Sequence, residues 1–275
     1  MKSDIAVGQY CEGDSLLHRL DPRAKILLAV FYIVVIFLAK SAVAFVLLTL
    51  FSMGLVTISG ISPRIVLGSM KALTFIILFT AVINIFWMQG EHLLFALGPI
   101  KVYLEGIVNA VLIVVRIMLL LICTSMFLTY TTTPIALTDG LEQLLSPLNK
   151  LHVPVHEFAM MMSIALRFIP TLIEETEKIM NAQKARGADF TEGNLLQRAK
   201  ALIPILVPLF VSAFRRADEL ATAMECRCYT GGAGRTRMNV LHYRWQDFAA
   251  MAVVVLLGVG VVLLNGVLPG IGLAM

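Results

Sequence analysis

Charge is scarce in this sequence. Only 15% of its 275 residues are Asp, Glu, Lys or Arg, against 59% hydrophobic residues and a mean hydropathy of +0.86. That balance excludes a water-soluble domain and implies an integral membrane protein. A Gly-x-x-x-x-Gly-Lys-Ser/Thr phosphate loop is missing, so the chain does not hydrolyse nucleotides by that route. His156 and Glu157 begin a zinc-protease pattern, but Met160 stands where the second histidine belongs. His152 and His156 are four apart, with Pro154 spoiling a shared helical face. Cysteines number four, at 11, 123, 226 and 228, and suggest neither a disulfide framework nor a zinc site. Thus no metal and no cofactor is expected on this chain. No signal peptide precedes the first apolar run, since the first 25 residues are polar and of mixed sign. Clustered acids or histidines are absent from the apolar segments, which argues against an intramembrane enzyme. A self-sufficient channel or secondary transporter is the alternative reading. It needs polar groups at mid-membrane, and only Asn84 and Arg116 qualify.

What is present is a series of apolar runs. Ile26 to Ala39 and Ala42 to Ile58 predict two spans around Lys40 and Ser41, the first extended by Ala24 and Lys25. Ala72 to Met88 predicts a third, with Trp87 as an interfacial anchor, and Leu104 to Thr129 a fourth. A polar, Gly-containing loop is expected between them at Gln89 to Gly98. From Thr138 to Trp245 no stretch offers 18 clean apolar residues, and Phe248 to Leu264 predicts the last span. The expected fold is an all-α membrane protein. About five transmembrane helices carry a helical domain inserted before the last one. Residues 1–137 form the first part, 138–245 the inserted domain and 246–275 the final span.

Lys and Arg counts give an orientation. The N-terminal segment holds four, the first loop one, the second two, the third one, the inserted domain thirteen and the tail none. Basic residues collect on the cytoplasmic side. The N-terminus and the inserted domain are therefore expected inside and the C-terminus outside. The pI near 8.9 is explained the same way, without a nucleic-acid partner.

The inserted domain contains one plan written twice. MMSIALRFIP turns to EETEK and ends in KARG; ALIPILVPLFVSAF turns to RRADE and ends in ECRC. Arg186 and Arg227 correspond, 41 positions apart. Gly187, free to take the left-handed conformation, should end the first helix, and glycines 231, 232 and 234 the second. Pro170, with Thr171 and Glu174 as a capping box, favours a restart or strong bend. Leu172, Ile173, Thr176, Ile179, Met180 and Gln183 form one stripe, with Glu174, Glu175, Glu177 and Lys178 mostly off it. A C-terminal arginine complements the helix dipole in any protein. Two matching ends suggest in addition two equivalent receptors. Small neighbours Ala185, Gly187, Cys226 and Cys228 keep each guanidinium slim enough to enter a groove lined with carboxylates.

The chain resembles the transmembrane T component of energy-coupling factor transporters, ABC-type importers of vitamins and transition metals. The resemblance covers nearly the whole length. It rests on HRLDPRAKILL (18–28), MSIALRFIP (162–170), QKARGADF (183–190), RRADELATAMECR (215–227) and GGAGRTR (231–237). It implies a non-catalytic subunit in the cell membrane, serving two cytoplasmic ATPases that hold ATP and magnesium. Arg186 and Arg227 are implied to dock in those ATPases, although cysteines replace alanine and glycine around Arg227. A substrate-binding S component is implied to rest on the apolar half of the second helix, at Leu202, Ile205, Leu206, Leu209, Phe210 and Phe214.

Overall fold

A computed structural model describes residues 10–11, 13–71, 73–88, 92–97, 100–151, 153–188, 190, 194–231 and 240–267. Helices dominate: α1 (Pro22–Leu38), α2 (Ala42–Ser59), α3 (Pro63–Lys71), α4 (Thr74–Trp87), α5 (Leu104–Thr124), α6 (Pro134–Leu145), α7 (Val155–Ala185), α8 (Leu195–Cys226) and α9 (Trp245–Val267). The protein is an all-α membrane protein with one small exception. Where a loop is expected after α4, β1 (Leu93–Leu97) and β2 (Ile100–Tyr103) pair as an antiparallel hairpin, with Ala96 opposite Lys101. The apolar LLFAL and IKVY segments flanking Gly98 and Pro99 suit a hairpin better than the polar residues before them suit a loop.

The described residues divide into two compact units, one from residues up to 144 together with those from 240 on, the other from residues 145–231. In the first, α1 starts at an Asp21 cap whose side chain accepts from the Arg23 N–H, with Pro22 at the first helical position. Tyr32 is buried on α1, donates to the Leu48 carbonyl (3.1 Å) and bonds Ser52 Oγ (2.7 Å), which ties α1 to α2 without an orphaned hydroxyl. Leu28, Ile36, Phe45, Leu119, Phe127, Val254 and Val261 complete this core. Helix α9 comes close to α1 at Gly258, where a Cβ would stand 3.0 Å from Val35. Small residues allow such close approach between helices in lipid.

Helix α5 passes into a π-helical turn, Ser125–Tyr130, giving a 27-residue segment whose most apolar 18 residues have a mean hydropathy of 2.7. At its end the Thr131 and Thr132 hydroxyls cover carbonyls of Met126 and Phe127. Among the described residues, four helices are long and apolar enough to cross a membrane: Ala42–Ser59, Leu104–Tyr130, Val155–Ala185 and Trp245–Gly266, with Thr74–Trp87 a shorter apolar helix. Val155–Ala185 lies between 138 and 245 but offers no 18 clean apolar residues, since Glu157 and Arg167 interrupt its apolar half. Its most apolar 18 residues have a mean hydropathy of 1.2, far below the 2.2 to 2.7 of the corresponding stretches in the other three.

The second unit is built on α7 and α8. Both run unbroken through their prolines, so the restart expected at Pro170 does not occur. Pro170, Pro204 and Pro208 all lie on exposed faces, which keeps the rings out of the contact between the helices. Proline at 208 deprives the Pro204 carbonyl of its helical donor. Gln183 of α7 supplies one instead, at 3.4 Å.

Candidate functional site

Three contacts fix how α7 and α8 lie. The Tyr229 hydroxyl meets the Met160 sulfur at 3.1 Å, Glu175 bonds Ser212 and Arg216, and Gln183 meets the Pro204 carbonyl. As numbering rises on one helix it falls on the other, so the pair is antiparallel. Arg186 and Arg227 therefore stand at opposite ends of it.

The two ends are the same structure. Arg186 caps α7; the Gly187 N–H returns to the Lys184 carbonyl and the Ala188 N–H to Gln183, each at 3.0 Å. Beyond α8, the Cys228 N–H returns to Glu225 at 2.9 Å and the Tyr229 N–H to Met224 at 3.0 Å. Both are Schellman turns with the arginine at the cap and the next residue left-handed. Gly187 has φ of 86° and Cys228 has φ of 55°, the one positive value at a non-glycine among the described residues. So Cys228, not the later glycines, ends the second helix. Ala185, Arg186, Gly187, Cys226, Arg227 and Cys228 are all exposed. Among the described residues neither guanidinium has a hydrogen-bond or ion-pair partner. Each is a free planar cation at the negative end of a long helix.

The apolar half of α8 divides. Leu202, Leu206, Phe210 and Phe214 form one exposed row, four residues apart, reaching 68% exposure at Phe214. Ile203, Val207 and Val211 form a second exposed row beside it. Ile205 is buried (5% exposed) and Leu209 partly so; both face inward. The α7 stripe from Leu172 to Gln183 is half-buried as expected. Glu175 joins it rather than lying off it, because its carboxylate is bonded to α8.

The polar residues within the spans are structural. Arg116 Nη2 donates to the Ala39 carbonyl at 3.0 Å and its guanidinium faces the Phe45 ring. Asn84 bonds Thr80 of its own helix instead of a neighbouring one. His152 lies outside the described residues, as does most of the 231–237 motif.

Sequence reasoning missed a polar latch in the motif at 18–28. Asp247, fully buried, accepts from the Asp21 N–H (2.8 Å) and the Arg244 N–H (2.6 Å), joining the starts of α1 and α9. Asp21 pairs with Arg23 at 2.9 Å. Burial pushes the Asp21 carboxyl up, but the hydrogen bonds and charge of Arg23 outweigh it and hold it below its ordinary value. Lys25, 2% exposed, donates to the Thr131 carbonyl at 2.6 Å, a cation on a helix end. The signal was there: three charged residues in the five positions opening an apolar run.

A multi-pass α-helical membrane unit, joined in one chain to a helical hairpin with matched cationic ends, is the build of a transporter's membrane component. A family model described as cobalt transport protein matches residues 13–240. The chain is 51% identical over 265 residues to the energy-coupling factor transporter transmembrane protein EcfT of Ruminiclostridium cellulolyticum, covering 96% of this chain and 98% of that one. It is 51% identical over 251 residues to the EcfT of Clostridium kluyveri (91% and 93% covered) and 46% over 257 to that of Bacillus subtilis (94% and 97%). The chain belongs to the family of energy-coupling factor transporter transmembrane proteins, as its motifs had suggested.

Proposed function

We propose that this chain couples two cytoplasmic ATPase subunits to uptake of a vitamin-class substrate through a bound S component. It has no catalytic role itself; ATP and magnesium belong to the ATPases. The observation that carries the reading is the duplicated helix end. One left-handed turn presents one unpartnered arginine, twice, at opposite ends of an antiparallel pair, which suits two equivalent receptors. Arg186 docks in one ATPase and Arg227 in the other, each in an acidic groove. The exposed rows of α8 seat the S component, since so much apolar surface in water is unfavourable.

Removing one member of a desolvated charged pair at an interface costs about 2–5 kcal/mol. Arg186→Ala and Arg227→Ala should each weaken one ATPase contact by about 30-fold or more, with membrane insertion intact. The double variant should release both ATPases on purification. Normal co-purification of both ATPases with the double variant rules the docking out. Independently, single cysteines at Leu202, Leu206, Phe210 and Phe214 should crosslink to the S component. Free labelling of all four by an impermeant reagent in the intact complex contradicts the seat.

A further inference from the structure

We infer that α3 and the groove beside it hold an anionic phospholipid, its acyl chain lying between α2 and α5 and its phosphate against Arg64 and Lys71. The inference does not depend on the coupling role proposed above and uses none of its residues.

Helix α3 marks a membrane boundary. Gly60, left-handed at φ 70°, turns the chain out of α2, and α3 begins three residues later. Ile61 and Val66 pack on Met126 and Tyr130, at the far end of the α5 segment. So α3 lies where two candidate spans end. Its nine residues reach about 13 Å, too short to cross. Each residue turns about 100° around the helix. Val66 and Met70 face the bundle and are buried. Pro63 and Leu67 come next around the helix, then Lys71 and Arg64, seven apart on one exposed face. A helix with basic residues beside its apolar face lies in the headgroup layer.

The groove that adjoins it suits an alkyl chain. It measures about 500 Å³ and is lined chiefly by one face of α2 from Thr49 to Gly60, by Pro63, Val66 and Leu67 of α3, and by Leu119 and Ile122 of α5. Among the described residues no charged side chain lines it. Its hydroxyls are already committed within the protein. Thr49 and Thr57 donate to the carbonyls of Phe45 and Gly54, and Ser52 bonds the Tyr32 hydroxyl. A polar solute would lose its water there and gain few bonds in return, whereas a lipid chain loses nothing.

The charge at the rim selects the headgroup. From Pro22 to Met88 the sequence holds no Asp or Glu. Among the described residues neither Arg64 nor Lys71 forms an ion pair. Glu105 lies in the first turn of α5, at the opposite end from α3. Arg64 follows the lining residue Pro63, and Lys71 stands one turn past the lining residue Leu67, so both cations flank the apolar groove. A lipid with net negative charge supplies what the chain lacks. Near an anionic surface each basic side chain strengthens binding about fivefold.

The test uses the complete complex in vesicles of equal parts phosphatidylglycerol and phosphatidylcholine with identical chains. In separate samples one lipid or the other carries a photoactivatable diazirine in its chain. After irradiation, peptide mass spectrometry counts adducts at Met53, Val56 and Leu67 in the groove. Leu256, Val259 and Leu263, on the exposed apolar face of α9, report bulk lipid. The ratio of phosphatidylglycerol to phosphatidylcholine adducts should be at least about fivefold higher in the groove than on α9. The double variant Arg64→Gln with Lys71→Gln, both exposed positions, should bring the two ratios within about twofold. The exchange Arg64→Lys with Lys71→Arg keeps both charges and should keep the enrichment. Val56→Trp, which fills the groove, should abolish groove adducts from both lipids and leave those on α9; if it does not assemble, the glutamine variant decides alone. Equal ratios at the two places, or an enrichment that survives the glutamine variant, overturns the site. A groove free of adducts from either lipid overturns it as well, because a partner polypeptide rather than lipid then covers it.

Discussion

Cys228 does a glycine's work. A side chain in the left-handed region costs roughly 1–2 kcal/mol, which Gly187 avoids and Cys228 at φ 55° does not. Cys228→Gly should therefore tighten the end of α8 by about 1 kcal/mol. Hydrogen exchange reads this locally: the Tyr229 amide, bonded to Met224, should exchange several-fold more slowly. Gly187→Ala should do the opposite to the Ala188 amide. Faster or unchanged exchange in Cys228→Gly would show that the turn carries no strain. The arginines of the site were legible because they stand at matched places in a repeat. The residue that ends α8 was not, because cysteine has no preference for a left-handed turn. Only its alignment with Gly187 marks it.

At the scale of elements, the turn between α1 and α2 shows how side chains from distant helices cover the backbone groups that helix ends leave open. Asn265 accepts from the Lys40 and Ser41 N–H groups, both at 3.1 Å, and donates to the Leu38 carbonyl at 2.7 Å. Arg116 covers the Ala39 carbonyl. Two side chains from other helices thus serve four backbone groups that no helix bonds satisfy. Asn265→Ala frees three of them, but the bonds at Lys40 and Leu38 are exposed, so water replaces part of what is lost and the cost should stay at about 1 kcal/mol. Arg116→Met leaves the buried Ala39 carbonyl without its donor and should cost more, about 1–3 kcal/mol. Thermal unfolding of the two variants in detergent checks the order, and a larger loss for Asn265→Ala refutes it. The helices themselves were largely visible in the apolar runs. The restart read from Pro170 does not occur, because nearest-neighbour rules cannot see that the proline lies on an exposed face. Nor can they see that Gln183, distant in sequence, serves the carbonyl that Pro208 frees. Asp247 on Asp21 is invisible for the same reason, at a separation of 226 residues.

For the whole molecule, α7 bears directly on which side of the membrane holds the arginine ends. If α1, α2, α4, α5 and α9 cross, the N-terminal segment and the α7–α8 pair share one side. If α7 crosses as well, Arg186 moves to the other side and α8 must return. The charges decide between these. Thirteen of the 22 Lys and Arg residues lie between 138 and 245, on both helices and beyond each. Carrying them outward works against the positive-inside bias. The second half of α7 also holds Glu174, Glu175, Glu177 and Lys178, and a charge at mid-membrane costs roughly 2.5–3.5 kcal/mol. The apolar first half of α7 is better placed along the interface than through it. Native thiols allow a direct test, since Cys226 and Cys228 are exposed while Cys123 is buried. An impermeant maleimide should leave both unlabelled in intact cells and modify them once the membrane is opened. Lys40→Cys, in the turn between α1 and α2, should react from outside before opening. A Lys184→Cys variant at the end of α7 should behave like Cys226. Labelling of Lys184→Cys from outside would make α7 a true span, and would end the case for both arginines meeting ATPases on one side.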